Sequence, residues 1–418
     1  MNISIIGTGY VGLTLALALS KVRHKISCFD INNQLIENLR RGLTDIKEPF
    51  IDEYIKNGIK NKNLFFYSPK DFEKYSEIVF VTVGSNIIAG SSEIYKKRIF
   101  DILIKCVKNN VKFVFLRSTI SIGFSNTLKE KFGNKLNIIY APERTIEGNA
   151  IGELFNLPQI IACKNVESRK IAQEIFKELD VDLIFTENYE EAELAKLICN
   201  TYRDYNFAFS NQIAILCKKL SIDLSKVNDL ASNKYKRLPI LKPGPVSGPC
   251  LSKDVHILSD SFESKKDCKL LLNAREINNK VLDVALADII GISKRFKLKD
   301  ILIMGLGFKS EPPVGDTRDS HSLYLAKMLQ KDKYNLFFYD PIVDSAGKEY
   351  MKGREIINNL DVNIDLIVFP IIPYWYYEGD SIFQKYINVK RYWLYKPKIL
   401  PEFGDDFIFG EYEYSSYL

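Results

Sequence analysis

Asn2-Ile3-Ser4-Ile5-Ile6-Gly7-Thr8-Gly9-Tyr10-Val11-Gly12-Leu13-Thr14-Leu15-Ala16-Leu17-Ala18-Leu19 opens the chain, and its reading decides the fold. The short apolar run to Ile6 reads as a buried strand, and the residues from Leu13 onward read as a helix former. Between them lies a glycine turn of the kind a dinucleotide site needs. Gly7 makes the turn, Gly9 lets backbone amides approach a pyrophosphate, and Gly12 lets the helix pack on the strand so that its N-terminus faces the anion. The candidate cofactor contacts are therefore Gly7, Gly9, Tyr10, Val11 and Gly12. The next strand, Lys25-Ile26-Ser27-Cys28-Phe29, ends in Asp30. That is close to the ~20-residue offset at which an acid meets the adenosine ribose hydroxyls. Such an acid repels a 2′-phosphate, so NAD is expected over NADP.

Further apolar runs continue the pattern outward from this start. Leu64-Phe65-Phe66, Ile78 to Val83, Phe113 to Leu116, Ile138 to Tyr140 and Gln159 to Ala162 alternate with amphipathic stretches, as in a parallel sheet wound with helices. Arg117-Ser118-Thr119 and Ala141 to Gly148 then fall at strand ends, where such a sheet opens a crevice. From about Asn188 the period becomes helical, with Leu194, Leu197, Ile198, Tyr202 and Tyr205 recurring toward Leu220. This is expected to be a central spine whose far face pairs with a second subunit. After another helical stretch, Lys266 to Ile290, a second strand-and-glycine start runs from Asp300 to Lys309. Leu336 to Asp340 and Asp365 to Phe369 read as its partner strands. The expected fold is α/β: two Rossmann-like doubly wound domains, 1–187 and 296–418, joined by a central helical domain, 188–295. The second start has Gly305 and Gly307 without a third glycine, which implies a different ligand mode. The tail after Pro401 carries no readable motif.

The 418 residues exceed one ordinary core, and 46% hydrophobic with 26% charged residues is ordinary for a soluble globular protein. Lys plus Arg number 58 against 52 Asp plus Glu, an excess spread along the chain rather than gathered in a stripe, which favours anionic small molecules over nucleic acid. Seven cysteines without a CxxC pair make neither a disulfide framework nor a zinc site, and imply a reducing compartment. His24, His256 and His321 are too scattered for a histidine-built metal centre. With no signal-peptide pattern and no ~18-residue apolar run, a cytoplasmic protein without a membrane span is expected.

Lys242-Pro243-Gly244-Pro245-Val246-Ser247-Gly248-Pro249-Cys250-Leu251-Ser252-Lys253-Asp254 can be neither helix nor strand over its first half, since its prolines delete donors and its glycines permit unusual backbone angles. It is a shaped loop carrying a thiol, followed by a cation that acidifies a thiol and a carboxylate that can handle protons. The residues alone leave two readings, a reactive thiol or a buried cysteine beside a turn. Lys196 and Asn200, four apart, project from one side of their helix. They too have two readings, a functional pair or a solvated surface.

Six motifs in register resemble one family: Gly7 to Gly12, Ser118-Thr119, Pro142-Glu143-Arg144 with Glu147-Gly148, Lys196 with Asn200, the Cys250 loop, and Phe308-Lys309 with Asp316 to Ser320. It is the UDP-glucose/GDP-mannose dehydrogenase family of nucleotide-sugar 6-dehydrogenases, matched over about Met1 to Tyr324. The resemblance implies oxidation of a sugar C6 hydroxyl to a carboxylate in two hydride transfers to NAD, with a Cys250 thiohemiacetal and thioester between them. It implies that Lys196 stabilises oxyanions, Asn200 positions them, Asp254 with a water is the base, Glu147 assists hydrolysis and Thr119 holds a water or the sugar. Glu143 would sit near the reacting carbon, with Arg144, Gly244, Gly248 and Lys309 toward the substrate and Ser118 and Arg318 toward the cofactor. A homodimer making surface-polysaccharide precursors in the cytoplasm is the implied setting.

Three departures stand out. Gly84-Ser85 replaces the usual Thr-Pro, Pro249 precedes the thiol in a loop that usually has more glycine, and Gly315 stands where an acid is common. Pro142-Glu143-Arg144 resembles the branch acting on UDP-N-acetylmannosamine or UDP-N-acetylglucosamine, with UDP-glucose or UDP-galactose types as the alternative. A single-hydride β-hydroxyacid dehydrogenase would need neither Cys250 nor the segment Ile301 to Ser320. An NAD-sensing module would need no Lys196, Asp254 and Glu147. The acid at Asp30 makes a first prediction: kcat/KM with NAD exceeds that with NADP by about tenfold or more, a difference of about 1.4 kcal/mol. Asp30→Ala brings the ratio toward one, and equal efficiencies in the wild type would remove the assignment.

Overall fold

The computed structural model of the chain describes residues 1–68, 75–85, 92–235, 237, 243–343, 355–356, 362–376, 381–394 and 405–409. They fall into two compact units, Met1–Asn200 with Lys253–Asp267, and Thr201–Ser252 with Cys268–Leu418.

In the first unit the strands are β1 (Asn2–Ile6), β2 (Lys25–Phe29), β3 (Leu64–Tyr67), β4 (Ile78–Val81), β5 (Phe113–Leu116), β6 (Asn137–Tyr140), β7 (Gln159–Ala162) and β8 (Leu183–Thr186). Their order, β3-β2-β1-β4-β5-β6-β7-β8, begins with the 3-2-1-4-5-6 arrangement of dinucleotide-binding sheets. Alternate side chains of β1 serve opposite faces, as the two-residue strand period requires. Ile3 and Ile5 join Leu13 and Leu17 of the helix Tyr10–Lys21, whereas Ile6 joins Tyr95, Ile99 and Leu103 of the helix Glu93–Lys108. Both faces are covered, which is why these strands read as unbroken apolar runs.

One expectation is corrected here. The strands through β6 are parallel, but β7 meets β6 antiparallel, through Tyr140 and Ala162, and β8 follows β7 in parallel. A parallel return needs a crossover of a dozen or more residues, usually a helix. The link from Tyr140 to Gln159 holds only the five-residue helix Ala150–Leu154 and spends its length on the loop 141–149.

The helix Tyr189–Lys219 runs on past the division between the units, continuing the period read from Asn188. In the second unit, Lys269–Phe296 packs Val281, Ala285, Ile289 and Ile292 into a core with Ile301, Ile303 and Leu325. The sheet there has β9 (Asp300–Met304), β10 (Asn335–Tyr339), β11 (Glu355–Ile356), β12 (Leu366–Phe369), β13 (Lys390–Trp393) and β14 (Asp406–Ile408), ordered β11-β10-β9-β12-β13-β14, with parallel neighbours throughout. The tail after Pro401 lies largely outside the described residues, but its Asp406 pairs with the wholly buried Arg391 at 2.7 Å and accepts from the Trp393 indole.

His321 begins the helix His321–Lys331 and is buried. Burial, aided by the neighbouring Arg275, pushes its imidazole from 6.5 down to about 3. The folded state therefore keeps it neutral where the unfolded chain takes up a proton, so its contribution is complete above pH 6.5 and is lost as pH falls toward 3. In urea unfolding at successive pH values, His321→Gln is expected to flatten the loss of stability by about one proton, of order 1 kcal/mol per pH unit. An unchanged slope would place the acid sensitivity elsewhere.

Candidate functional site

The glycine turn is built as its spacing requires. Gly7 has φ +96°, and a Cβ on Gly12 would stand 1.8 Å from the Gly7 carbonyl oxygen, whereas Gly9 faces open space. Thr82, at the end of β4, donates its hydroxyl to the Gly7 oxygen at 2.6 Å and secures the turn from below. Asp30 accepts from the amides of Thr8 at 2.7 Å and Asn32 at 2.9 Å and keeps part of its surface exposed. No side chain caps the helix that starts at Tyr10, so its first amides remain for an anion. Open space at Gly9, uncapped amides and a half-exposed acid together fit a dinucleotide diphosphate and its ribose.

At the end of β5, Ser118 donates to the Val83 oxygen at 2.6 Å, which fixes the neighbouring strand end. The half-buried Thr119 hydroxyl makes no hydrogen bond among the described residues. Arg117 is buried and grips Glu143 through two nitrogens at 2.8 and 3.0 Å, with Gln159 accepting from it at 2.9 Å. The other Glu143 oxygen accepts from the amides of Arg144 and Thr145. Burial opposes the Glu143 charge, but Arg117 and these amides outweigh it and hold the carboxyl below its ordinary range. Both Glu143 oxygens are thus engaged by protein groups. Glu143 shapes the loop, and Arg144 donates to the Pro158 oxygen.

The same loop continues through the half-buried Glu147 to Gly148, whose amide donates to both the Tyr10 hydroxyl and Glu48. Glu48 also accepts from Ala150 at 3.0 Å, and the Tyr10 hydroxyl links this loop to the cofactor turn. Glu193, wholly buried and pushed upward by that burial, accepts from the amides of Gly123 at 2.6 Å and Ser125 at 2.9 Å. It joins the segment after Thr119 to the helix that bears Lys196.

Lys196 is not a surface residue. Lys196 and Asn200 lie against Asp254, which has no exposed surface: Asn200 donates to one carboxylate oxygen at 2.6 Å and the Lys196 ammonium stands 4.0 Å from it. Lys253 donates to the other oxygen at 2.8 Å and to the Ser85 hydroxyl at 3.2 Å. The departure at Ser85 therefore supplies a partner for a charged residue of the cluster. Two ammonium groups around one carboxylate leave a net positive charge in a buried place, a setting that stabilises an anion forming beside it.

In the second unit the thiol loop is irregular from Pro243 to Cys250, as its composition demands, and the Cys250 thiol is exposed. The alternative of a buried cysteine is thereby excluded. The helix Leu251–Ser259 follows at once. Gly244 exchanges two hydrogen bonds with the Asn211 amide side chain, at 2.7 and 2.9 Å, and Arg275 donates to the Val246 oxygen at 3.3 Å. Ser247 donates to the Phe308 oxygen at 2.6 Å, and a Cβ on Gly248 would meet the Phe308 ring at 2.7 Å. Gly244 and Gly248 thus serve the loop's backbone path. Lys309 follows Phe308, and the exposed Arg318 folds back onto Asp316 at 2.8 Å.

Glu48, Glu193, Asn211 and Arg275 went unread in the sequence. Glu193, Asn211 and Arg275 are polar residues at inward helix positions, visible only once the inward face is known, and Glu48 lies in a loop between two helices.

Residues 1–180 match the NAD binding domain of the UDP-glucose/GDP-mannose dehydrogenase family, and residues 190–280 match its central domain. The UDP-N-acetyl-D-mannosamine dehydrogenase of Methanococcus maripaludis is 28% identical over 81% of this chain and 79% of its own. A UDP-glucose 6-dehydrogenase of Bacillus subtilis is 27% identical over 90% of each. Among solved structures, the UDP-D-ManNAc dehydrogenase of Pyrococcus horikoshii superposes with a TM-score of 0.82 at 22% identity, over 98% of this chain and 99% of that one, a likeness of fold. Two domains of one family, matched in order across more than half of the chain, make this protein a member of the UDP-glucose/GDP-mannose dehydrogenase family and an NAD-dependent nucleotide-sugar oxidoreductase.

Proposed function

We propose that the protein oxidises the C6 hydroxyl of UDP-N-acetylmannosamine to a carboxylate, through a thioester on Cys250, as a cytoplasmic homodimer that makes precursors of surface polysaccharides. The observation that carries the chemistry is Asp254, fully buried between Lys196, Lys253 and Asn200 and one helical turn of sequence after an exposed thiol. The substrate rests on relatives of that name that match most of the chain, together with Arg144 after Glu143. UDP-N-acetylglucosamine and UDP-glucose are the next substrates, the latter because a UDP-glucose 6-dehydrogenase matches 90% of the chain.

NAD would be held by Gly7 to Gly12 and Asp30 and would accept one hydride per molecule, a second NAD replacing the first NADH before the second oxidation. Asp254, acting through a water, takes the proton of the C6 hydroxyl as the aldehyde forms. The Cys250 thiolate then adds to the aldehyde carbon, a C–S bond forms, and the carbonyl electron pair moves to an oxygen that Lys196 stabilises and Asn200 orients. Loss of the second hydride leaves a thioester. Water held by Thr119 and activated by Glu147 cleaves the C–S bond, returning the thiol and releasing the carboxylate.

Residues 1–187 would hold the cofactor, 188–295 the helical core and subunit contact, and 296–418 the nucleotide sugar through Lys309. The subunit contact is motivated by Leu194, Ile198, Tyr202, Phe209 and Leu216, all exposed along one side of the helix Tyr189–Lys219. Repeated apolar exposure of this kind marks an interaction face.

NADH formation over a panel of UDP and GDP sugars is expected to give the highest kcat/KM with UDP-N-acetylmannosamine, and a strong preference for another sugar replaces that substrate. Wild-type enzyme should yield two NADH per carboxylate. Cys250→Ala should end covalent capture, and full double oxidation by that variant, or one NADH per product in the wild type, rules out the thioester. Lys196→Ala should lower kcat by roughly 10²-fold while barely changing substrate affinity, because the ammonium matters most as the oxyanion forms. Unchanged turnover would assign Lys196 a structural role.

A further inference from the structure

The loop that carries Cys250 cannot hold itself. Pro243, Pro245 and Pro249 remove three backbone donors, and residues 243–249 lie outside any strand or helix. Its path is set from outside by side chains of two helices. Asn211 of Tyr189–Lys219 has no exposed surface and pairs with both polar groups of Gly244, a two-bond match that fixes the register of the loop as a neighbouring strand would. The second Asn211 amide hydrogen goes to the Asn278 oxygen at 2.8 Å, Asn278 donates to Asp204 at 2.8 Å, and Arg275 meets Asp204 at 2.7 Å. Arg275 then returns to the loop at the Val246 oxygen. Each donor has one place to point, so the Asn211 amide cannot turn over without setting like groups against each other.

Four buried polar or charged side chains are costly, and apolar residues of similar volume would pack there at a lower desolvation cost. What the network supplies is a fixed position for Gly244 to Val246. We propose that Asn211 and Arg275 are positioning residues for the nucleophile, holding the loop so that the Cys250 thiol meets the aldehyde before it can leave. This rests on the reading of Cys250 as the attacking group. Covalent capture is sensitive to place, since a displacement of about 1 Å can cost roughly 10²-fold in rate. A loosened loop therefore fails at a particular step: the first oxidation continues, and aldehyde escapes.

The test uses the full-length protein with Asn211→Asp, which sets a carboxylate oxygen against the Gly244 and Asn278 oxygens, and Arg275→Lys, which keeps a charge for Asp204 but gives up the Val246 bond. Three quantities are read: the rate of Cys250 carboxamidomethylation by iodoacetamide, aldehyde trapped by a hydroxylamine reagent per NADH formed, and UDP affinity by calorimetry. The expected result is a kcat about tenfold or more lower, trapped aldehyde where the wild type gives none, a changed alkylation rate, and UDP affinity within about twofold. Should either buried variant fail to fold, Ser247→Ala, which removes the loop's bond to Phe308 without touching the network, is expected to release aldehyde to a smaller extent. Folded variants with wild-type alkylation and no trapped aldehyde overturn the proposal, and so does a uniform loss in which UDP binding falls with kcat. If Cys250→Ala still completes both oxidations, the nucleophile reading fails by itself, and the alkylation rates continue to report on the loop.

Discussion

One helix carries a polar stripe along its buried side, and the arrangement depends on it. Along Tyr189–Lys219, Glu193, Asn200, Asp204, Asn211 and Lys218 recur at spacings of seven and four, which keep them on a single side. Each is engaged by a different element: the amides of Gly123 and Ser125, Asp254, Arg275, Gly244, and Asp288. The opposite side carries the exposed leucine, isoleucine and aromatic residues. A surface helix normally reverses this assignment. Here Leu197, Ala208 and Ala214 are buried beside a polar stripe, because what that stripe must hold is backbone and charge, which apolar side chains cannot bind.

The two sheets repeat one order of strands, yet their glycine turns are in different states. Asp30 shares its oxygens between the amides of Thr8 and Asn32 and stays partly exposed. Asp340, at the matching end of β10, is buried and accepts from Leu306, Ile342 and Val343. In the second turn a Cβ on Gly307 would strike the Val314 oxygen at 2.5 Å. Duplicated topology thus comes with one half-exposed and one buried acid at matching strand ends.

What was legible in the sequence is what local rules govern. The first turn, the long helix and the strands at Ile301, Leu336 and Leu366 follow from period and glycine placement, and Cys250 and Asp254 were marked by the abrupt chemistry of their loop. The reversal of β7 was not legible, because strand direction depends on where a connection travels rather than on the strand's own residues. Nor was the burial of Glu143, since a carboxylate at a strand end reads alike whether it faces a substrate or Arg117 twenty-six residues earlier. The strands β13 and β14 were missed because Arg391 and Asp406 break the apolar pattern, and only as a pair do they belong inside.

The order of residues along the chain interleaves the two units, since Lys253–Asp267 belongs with the first although it follows Thr201–Ser252 of the second. On the ribosome, proteins commonly fold domain by domain from the N-terminus. Here the eight-stranded sheet is fully synthesised once Thr186 has emerged, but the partners of Lys196 and Asn200 arrive only when Asp254 does. During that interval a lysine destined for burial stays in water, and the nascent sheet is complete while its charged centre is not.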